Sequence, residues 1–201
     1  MNQTEPTDAD GLQEDEIRRI GVSPDLLELL YRAHIEAVQR FVARRVDDPH
    51  RAADLTSEIF LAALTAAPGY RADRGSPRAW LFGIARNVIA HDHRRQRRRL
   101  ELVQRIQGHR LLDEDAIGRI EERLAAEGEA RSLLRALASL PERSRAVVEL
   151  VDIDGLAVDE AAGVLGIRPG TARVRLHRAR ARIRADVGAD PQTLTLQKAE
   201  A

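Results

Sequence analysis

Seven arginines and no acidic residue fall between Arg168 and Arg184. Arginine presents a planar fork of donors that matches phosphate oxygens and the major-groove edge of guanine. A second cationic run, Arg94 to Arg99, lies about seventy residues upstream on a separate helical pattern. Two basic helices in one short chain predict a protein that holds nucleic acid at two places. Catalytic chemistry is not indicated. The chain has no cysteine, which excludes disulfides, thiol catalysis and cysteine-ligated zinc. It shows no glycine-rich phosphate loop, no nucleophile elbow and no carboxylate pair set for acid–base work. His91 and His93 flank Asp92, but i and i+2 positions face apart on a helix. Neither a metal nor another cofactor is expected, and the chain is not expected to be an enzyme.

The overall balance of 32 basic against 32 acidic residues conceals strong segregation. Residues 71–110 hold eleven arginines against Asp73, Asp92 and Glu101, whereas 111–129 hold seven acids against Arg119 and Arg123. Charge separated in this way makes local electrostatic footprints. Lys198 is the one lysine, so arginine carries nearly all the positive charge. No basic start followed by an apolar core marks a signal peptide, and no apolar run approaches the roughly 20 residues that span a bilayer. A cytoplasmic location is expected.

Helical periodicity positions these groups. Leu26, Leu27, Leu30, Ile35, Val38, Phe41, Val42 and Val46 recur at helical spacing after Pro24. Asp47-Asp48-Pro49 ends that helix, and a second follows across 52–65 with Leu55, Ile59, Phe60 and Leu64 inward. After the break at Pro68-Gly69 and a loop through Pro77, a third helix runs to Arg99 over Trp80, Leu81, Ile84, Val88 and Ile89. Ser76 is its N-cap and Pro77 its first residue. Later helices are expected over 130–140 (Leu133, Leu134, Leu137 and Leu140 as the stripe), 142–153, 158–165 and 170–185. No strand alternation persists. The expectation is an all-α fold of two small helical domains joined by a linker: a flexible acidic arm 1–22, a first domain 23–99, a linker 100–128, a second domain 129–186 and a flexible tail 187–201.

The second domain contains a helix-turn-helix pattern. Ala161, Ala162 and Gly163 are small enough for a close helix crossing, and Gly166 suits the left-handed turn between the helices. Leu165, Ile167, Val174 and Leu176 are expected to bury, leaving Arg173, Arg175, Arg178 and Arg180 outward. Thr171 in the first turn can meet a phosphate. In the first domain the third helix is apolar in its first half and cationic in its second. Gripping a duplex needs the charge alone. Opening one also benefits from a pocket for an extruded base, for which Tyr70, Arg71, Arg74, Trp80 and Asn87 are candidates.

These strings resemble an extracytoplasmic-function (group IV) RNA polymerase sigma factor of the sigma-70 family, over residues 25–99 and 130–185. The segment from Asp54 to Leu64 is similar to the family's polymerase-binding helix. Ser76 to Ile89 is similar to its promoter-melting helix. Leu140-Pro141-Glu142-Arg143 and Gly170 to Arg180 resemble its −35-reading domain. The resemblance implies a region 2 bundle and a region 4 helix-turn-helix. It implies that Asp54, Leu55, Glu58, Ile59 and Phe60 dock on core polymerase, through the clamp helices of the largest subunit, with the flap of the second subunit as a further contact. Tyr70, Arg71, Arg74, Ser76, Trp80, Arg86, Asn87, His91, Arg94 and Arg95 would serve the −10 element. Arg168, Gly170, Thr171, Arg173, Val174, Arg175, His177 and Arg178 would serve the −35 element. The implied partners are core polymerase, promoter DNA and an anti-sigma factor, with no membrane insertion. Two other readings stay open on the residues: a helix-turn-helix regulator acting without polymerase, and a helical adaptor whose arginines meet protein carboxylates.

Overall fold

A computed structural model describes residues 12–107 and 128–188. Among these residues the regular elements are helical. They are α1 (Glu14–Arg18), α2 (Pro24–Ala43), α3 (Pro49–Ala66), α4 (Pro77–Gln107), α5 (Gly128–Ala138), α6 (Glu142–Val148), α7 (Val158–Leu165) and α8 (Pro169–Gly188). Short 3₁₀ turns at Ala67–Gly69 and Ala72–Arg74 join α3 to α4. A single π-helical turn, Glu149–Ile153, extends α6.

Local chemistry explains the starts. Asp48 accepts the His50 and Arg51 N–H groups ahead of Pro49, and Ser76 Oγ accepts the Ala79 N–H at 3.3 Å ahead of Pro77. Both use a side-chain oxygen on an orphan donor and a proline at N1, where no N–H is needed. Gly166 stops α7 at φ 65° and ψ 36°, the left-handed cap expected of the turn.

α2, α3 and α4 pack around Leu30, Val38, Phe41, Leu55, Ile59, Leu81, Phe82 and Ile89. The Phe41 and Phe82 rings stack with centroids 4.8 Å apart. α5, α6, α7 and α8 share a second, smaller core of Leu140, Val147, Val148, Ala162, Ala172, Leu176 and Ala179. The two units are not separate in space. Leu150, Leu156, Ala161 and Val164 join the first core, so α7 buries one side against each unit.

Several expectations need correction. The arm expected to be flexible to residue 22 contains α1, with Ile17 buried in the helix and Ile20 buried just after it. α4 continues as helix to Gln107 rather than stopping at Arg99. Along α5 and just beyond it the buried positions are Ser132, Ala136 and Leu140, while Leu133 and Leu134 are exposed. On α8, Val174 is 50% exposed, and the inward stripe is Ala172, Leu176 and Ala179. That stripe follows the i, i+4, i+7 pattern. A Cβ on Gly163 would meet nothing within 4 Å, so Ala161 and Ala162, not Gly163, make the close crossing. The acidic segment 111–127, residues 1–11 and the tail beyond 188 lie outside the described residues.

Candidate nucleic-acid interface

The exposed face of α8 follows from its buried one. With Ala172, Leu176 and Ala179 inward, Arg168, Gly170, Thr171, Arg173, Val174, His177 and Arg178 are exposed and Arg175 is half-buried. α8 therefore presents its first turns and several guanidinium groups on one accessible side. Arg173 pairs with Asp159 at 2.7 Å, and Arg180 pairs with Asp152. Both are exposed pairs, which are weak and exchange readily for a phosphate. The hydrogen bond that Arg180 donates to Asp152 raises the guanidinium above its ordinary pKa.

The second cationic surface is the outer half of α4. His91, His93, Arg94, Arg95, Arg97, Arg98 and Arg99 are exposed, whereas Asp92 is buried. Asp92 accepts from Arg51 and from Gln96. It anchors α4 to α3 and leaves its histidine neighbours facing outward. Its hydrogen bond raises Arg51 above the ordinary arginine value.

Between α3 and α4 lies the loop Tyr70–Ser76. Tyr70 is buried, its hydroxyl donating to the Gly75 carbonyl at 3.0 Å and its ring meeting Trp80 edge-on at 5.3 Å. Trp80 is half-buried against the first core. Tyr70 and Trp80 thus build the loop's floor, while Arg71, Ala72, Asp73 and Arg74 form its exposed rim. Arg71 chelates Asp73 through two hydrogen bonds, which lowers the Asp73 carboxyl and raises the Arg71 guanidinium. Gly75 turns at φ 137°, a conformation that L side chains rarely adopt.

Two of the candidate −10 residues are engaged by α7. The Ser76 N–H donates to Glu160 Oε1 at 2.8 Å, and Arg86 Nη1 donates to the Val164 carbonyl at 3.1 Å. Asn87 is exposed. Further along the seam Arg44 pairs with Asp154 and Arg45 with Glu149, each at 2.5 Å. Arg45 also lies 3.7 Å over the Phe41 ring. Burial lowers its pKa, with Glu149 opposing that shift. Ser76 and Arg86 are among the residues expected from the sequence, but their partners are not, nor are the Arg44–Asp154 and Arg45–Glu149 pairs, because long-range polar pairs leave no periodic trace.

On α3, Leu55, Ile59 and Phe60 are buried, the last with its ring 4.8 Å from Tyr31. They shape the helix from inside. Its accessible side carries Asp54, Glu58 and Leu61, spaced i, i+4, i+7 on one face. Leu61, three residues after Glu58, is a large apolar side chain exposed on this face. No helix among the described residues is long and apolar enough to cross a membrane.

Among the described residues the regular elements are helices, and they combine a helix-turn-helix with a separate cationic helix beside an aromatic-floored loop. Family models match the chain twice, Sigma-70 region 2 over residues 30–99 and Sigma-70 region 4 over 130–183. The ECF RNA polymerase sigma factor SigC of Mycobacterium tuberculosis is 37% identical over 169 residues, 84% of this chain and 86% of that protein. SigE of Mycolicibacterium smegmatis is 34% identical, over 77% of this chain and 59% of its own. Among solved structures, CnrH in complex with the cytosolic domain of CnrY superposes with TM-score 0.62 at 25% identity, covering 91% of this chain and 99% of that one. RpoE of Bartonella quintana, solved with the anti-sigma factor NepR, shares the fold at TM-score 0.56 and 22% identity, over 80% and 95% of the two chains. The chain belongs to the extracytoplasmic-function RNA polymerase sigma factors. It is a transcription initiation factor that directs RNA polymerase to promoters.

Proposed function

We propose a division of labour between two domains, 23–99 and 129–186. The first docks on core polymerase through the Asp54, Glu58 and Leu61 face of α3, and it reads and opens the −10 element with the Tyr70–Ser76 loop and the cationic side of α4. The second places α8 in the −35 major groove, with Arg168, Thr171, Arg173, Arg175, His177 and Arg178 toward DNA. Arginine–phosphate contacts supply salt-dependent affinity, and a few base-edge contacts supply specificity. The chain contributes no catalytic residue; bond formation belongs to the polymerase, and the place of action is the cytoplasm. The observation that carries this reading is the exposed basic face of α8, whose inward side is a stripe of small and apolar residues. CnrH was solved bound to a cytosolic domain of another protein, which supports control of this chain by a protein of the anti-sigma kind.

Run-off transcription over a genomic-fragment library tests the proposal, using bacterial core polymerase with and without the protein. Initiation at discrete start sites that depends on the added chain is the expected result. Tight binding to a palindromic duplex without polymerase, and no initiation with it, would replace this reading with that of a conventional helix-turn-helix regulator.

A further inference from the structure

α1 sits against the loop that joins α3 to α4. Ile17 and Ile20 are buried, and Ile17 lies between Glu14 and Arg18 in sequence, so the burial that fixes the helix also sets both polar side chains. Arg18 Nε donates to the Tyr70 carbonyl at 3.0 Å. Glu14 Oε2 accepts the Ala72 N–H at 2.8 Å. Glu14 and Arg18 also pair with each other across one helical turn. Together with the Tyr70 hydroxyl on Gly75, these bonds tie down three backbone groups of a seven-residue loop whose rim is otherwise exposed. A further tie, from the Ser76 N–H to the Glu160 carboxylate, comes from the other domain. If the two domains part, the α1 bonds to the loop stay in place beside the Tyr70–Trp80 ring contact.

A receiver for an extruded base returns the cost of unstacking only if its own shape does not have to be ordered at that moment. We infer that α1 is a brace for the Tyr70–Ser76 loop, with Glu14 and Arg18 as positioning residues that set how well the loop captures and discriminates a −10 base. This rests on the loop being the base receiver proposed above.

The test uses the full chain with core polymerase on promoter fragments carrying each of the four bases at every −10 position. A 2-aminopurine substitution reports unstacking. Glu14→Ala and Arg18→Ala should each lower discrimination between the preferred base and the others by about tenfold, leaving core affinity and the −35 contribution unchanged. Glu14→Gln keeps a carbonyl acceptor and should restore wild-type selectivity. Ala72→Pro removes the N–H that Glu14 accepts while leaving α1 intact. Its neighbour Arg71 already has φ −140° and ψ 117°, the extended backbone that a following proline demands. It should reproduce Glu14→Ala, and the double variant should be no worse than either single one. Wild-type selectivity in Glu14→Ala and Ala72→Pro would overturn the brace, as would a loss no larger than the loss of core affinity. Arg71→Ala and Arg74→Ala on the rim separate the two levels. If they alter selectivity and the α1 variants do not, the brace alone fails; if none does, the loop is not the receiver and the brace falls with it.

Discussion

The Glu160 carboxylate divides its two oxygens between two domains: Oε2 accepts the Ala157 N–H at 3.1 Å at the start of its own helix, and Oε1 accepts the Ser76 N–H at 2.8 Å across the seam. A residue of the helix-turn-helix therefore caps the loop assigned to the −10 element. The −10 and −35 elements lie about 25 base pairs apart, on the order of 85 Å at ~3.4 Å per base pair. On the two-site reading proposed above, domains joined at hydrogen-bond distance through Ser76 and Glu160 do not reach both elements, and promoter binding is expected to part this contact.

The first prediction concerns that parting. Glu160→Ala should shift the balance toward separated domains by about tenfold, the effect of losing one charge-assisted hydrogen bond. Single-molecule energy transfer between the domains reads it directly. The absence of cysteine lets two introduced labelling sites be unique. An unchanged distance distribution would mean that the apolar contacts of Leu150, Leu156 and Val164 hold the seam without Glu160.

Acid should act in the same direction. Burial opposes ionisation of Glu160, but hydrogen bonds from Ser76 and Ala157, with the Arg78 charge, outweigh it and hold the carboxyl below its ordinary value of 4.5. A depressed value in the docked state means that Glu160 contributes fully to docking above about pH 4.5. That contribution is lost as the pH falls through the lower docked value. Docking of the wild-type chain should therefore weaken more steeply with acidification than docking of Glu160→Gln, and equal slopes would remove Glu160 from the coupling.

α3 separates docking from stability. Asp54 and Glu58 are 68% and 52% exposed, and Arg51 approaches both at 3.8 and 3.9 Å while bonding the buried Asp92. Exposed pairs of this kind contribute little to folding. Replacing Asp54 and Glu58 together by alanine should leave the melting temperature within a few degrees and lower core-polymerase affinity at least tenfold. Asp92→Ala should do the opposite first, costing about 2–3 kcal/mol by leaving Arg51 without its principal partner. Equal effects of both variants on melting and on core binding would refute the distinction.

The parts of the fold that repeat locally were legible in the sequence. α7 begins and ends where the apolar pattern and Gly166 predicted, and Ser76-Pro77 marks the start of α4 as expected. Elements defined by distant partners were not. α1 is five residues long in an acidic segment, too short to persist alone. It exists because Ile17 and Ile20 find a hydrophobic surface that no local pattern advertises. The α8 stripe was misread because alanine is a weak hydrophobic signal beside Val174, yet helix crossing at Ala172 and Ala179 favours the smaller residue. Leu133 and Leu134 on α5 were misread for the complementary reason, since apolar side chains outside the contact stripe stay exposed. At the candidate site, the identity of the surface arginines was readable. Their present engagements, Arg86 with Val164 and Arg173 with Asp159, depend on tertiary placement.

The −35 assignment makes the last prediction. Arg173 and Arg175 sit two positions apart on α8, one exposed and paired with Asp159, the other half-buried. An arginine contacting only phosphate, when replaced by alanine, should weaken binding similarly across sequences and reduce the magnitude of the salt slope by about 1. One reading a base edge should cost about 1–3 kcal/mol and relax preference at one position of the −35 element. Arg175, less free to swing, is expected to give the base-specific signature, and Arg173, which can exchange Asp159 for a phosphate, the uniform one. Holoenzyme binding to a −35 mutant library at two salt concentrations distinguishes them. The double replacement should abolish −35 dependence with core affinity intact, because neither residue lies on α3. Loss of core binding in that variant would argue that α8 faces the polymerase instead of the promoter.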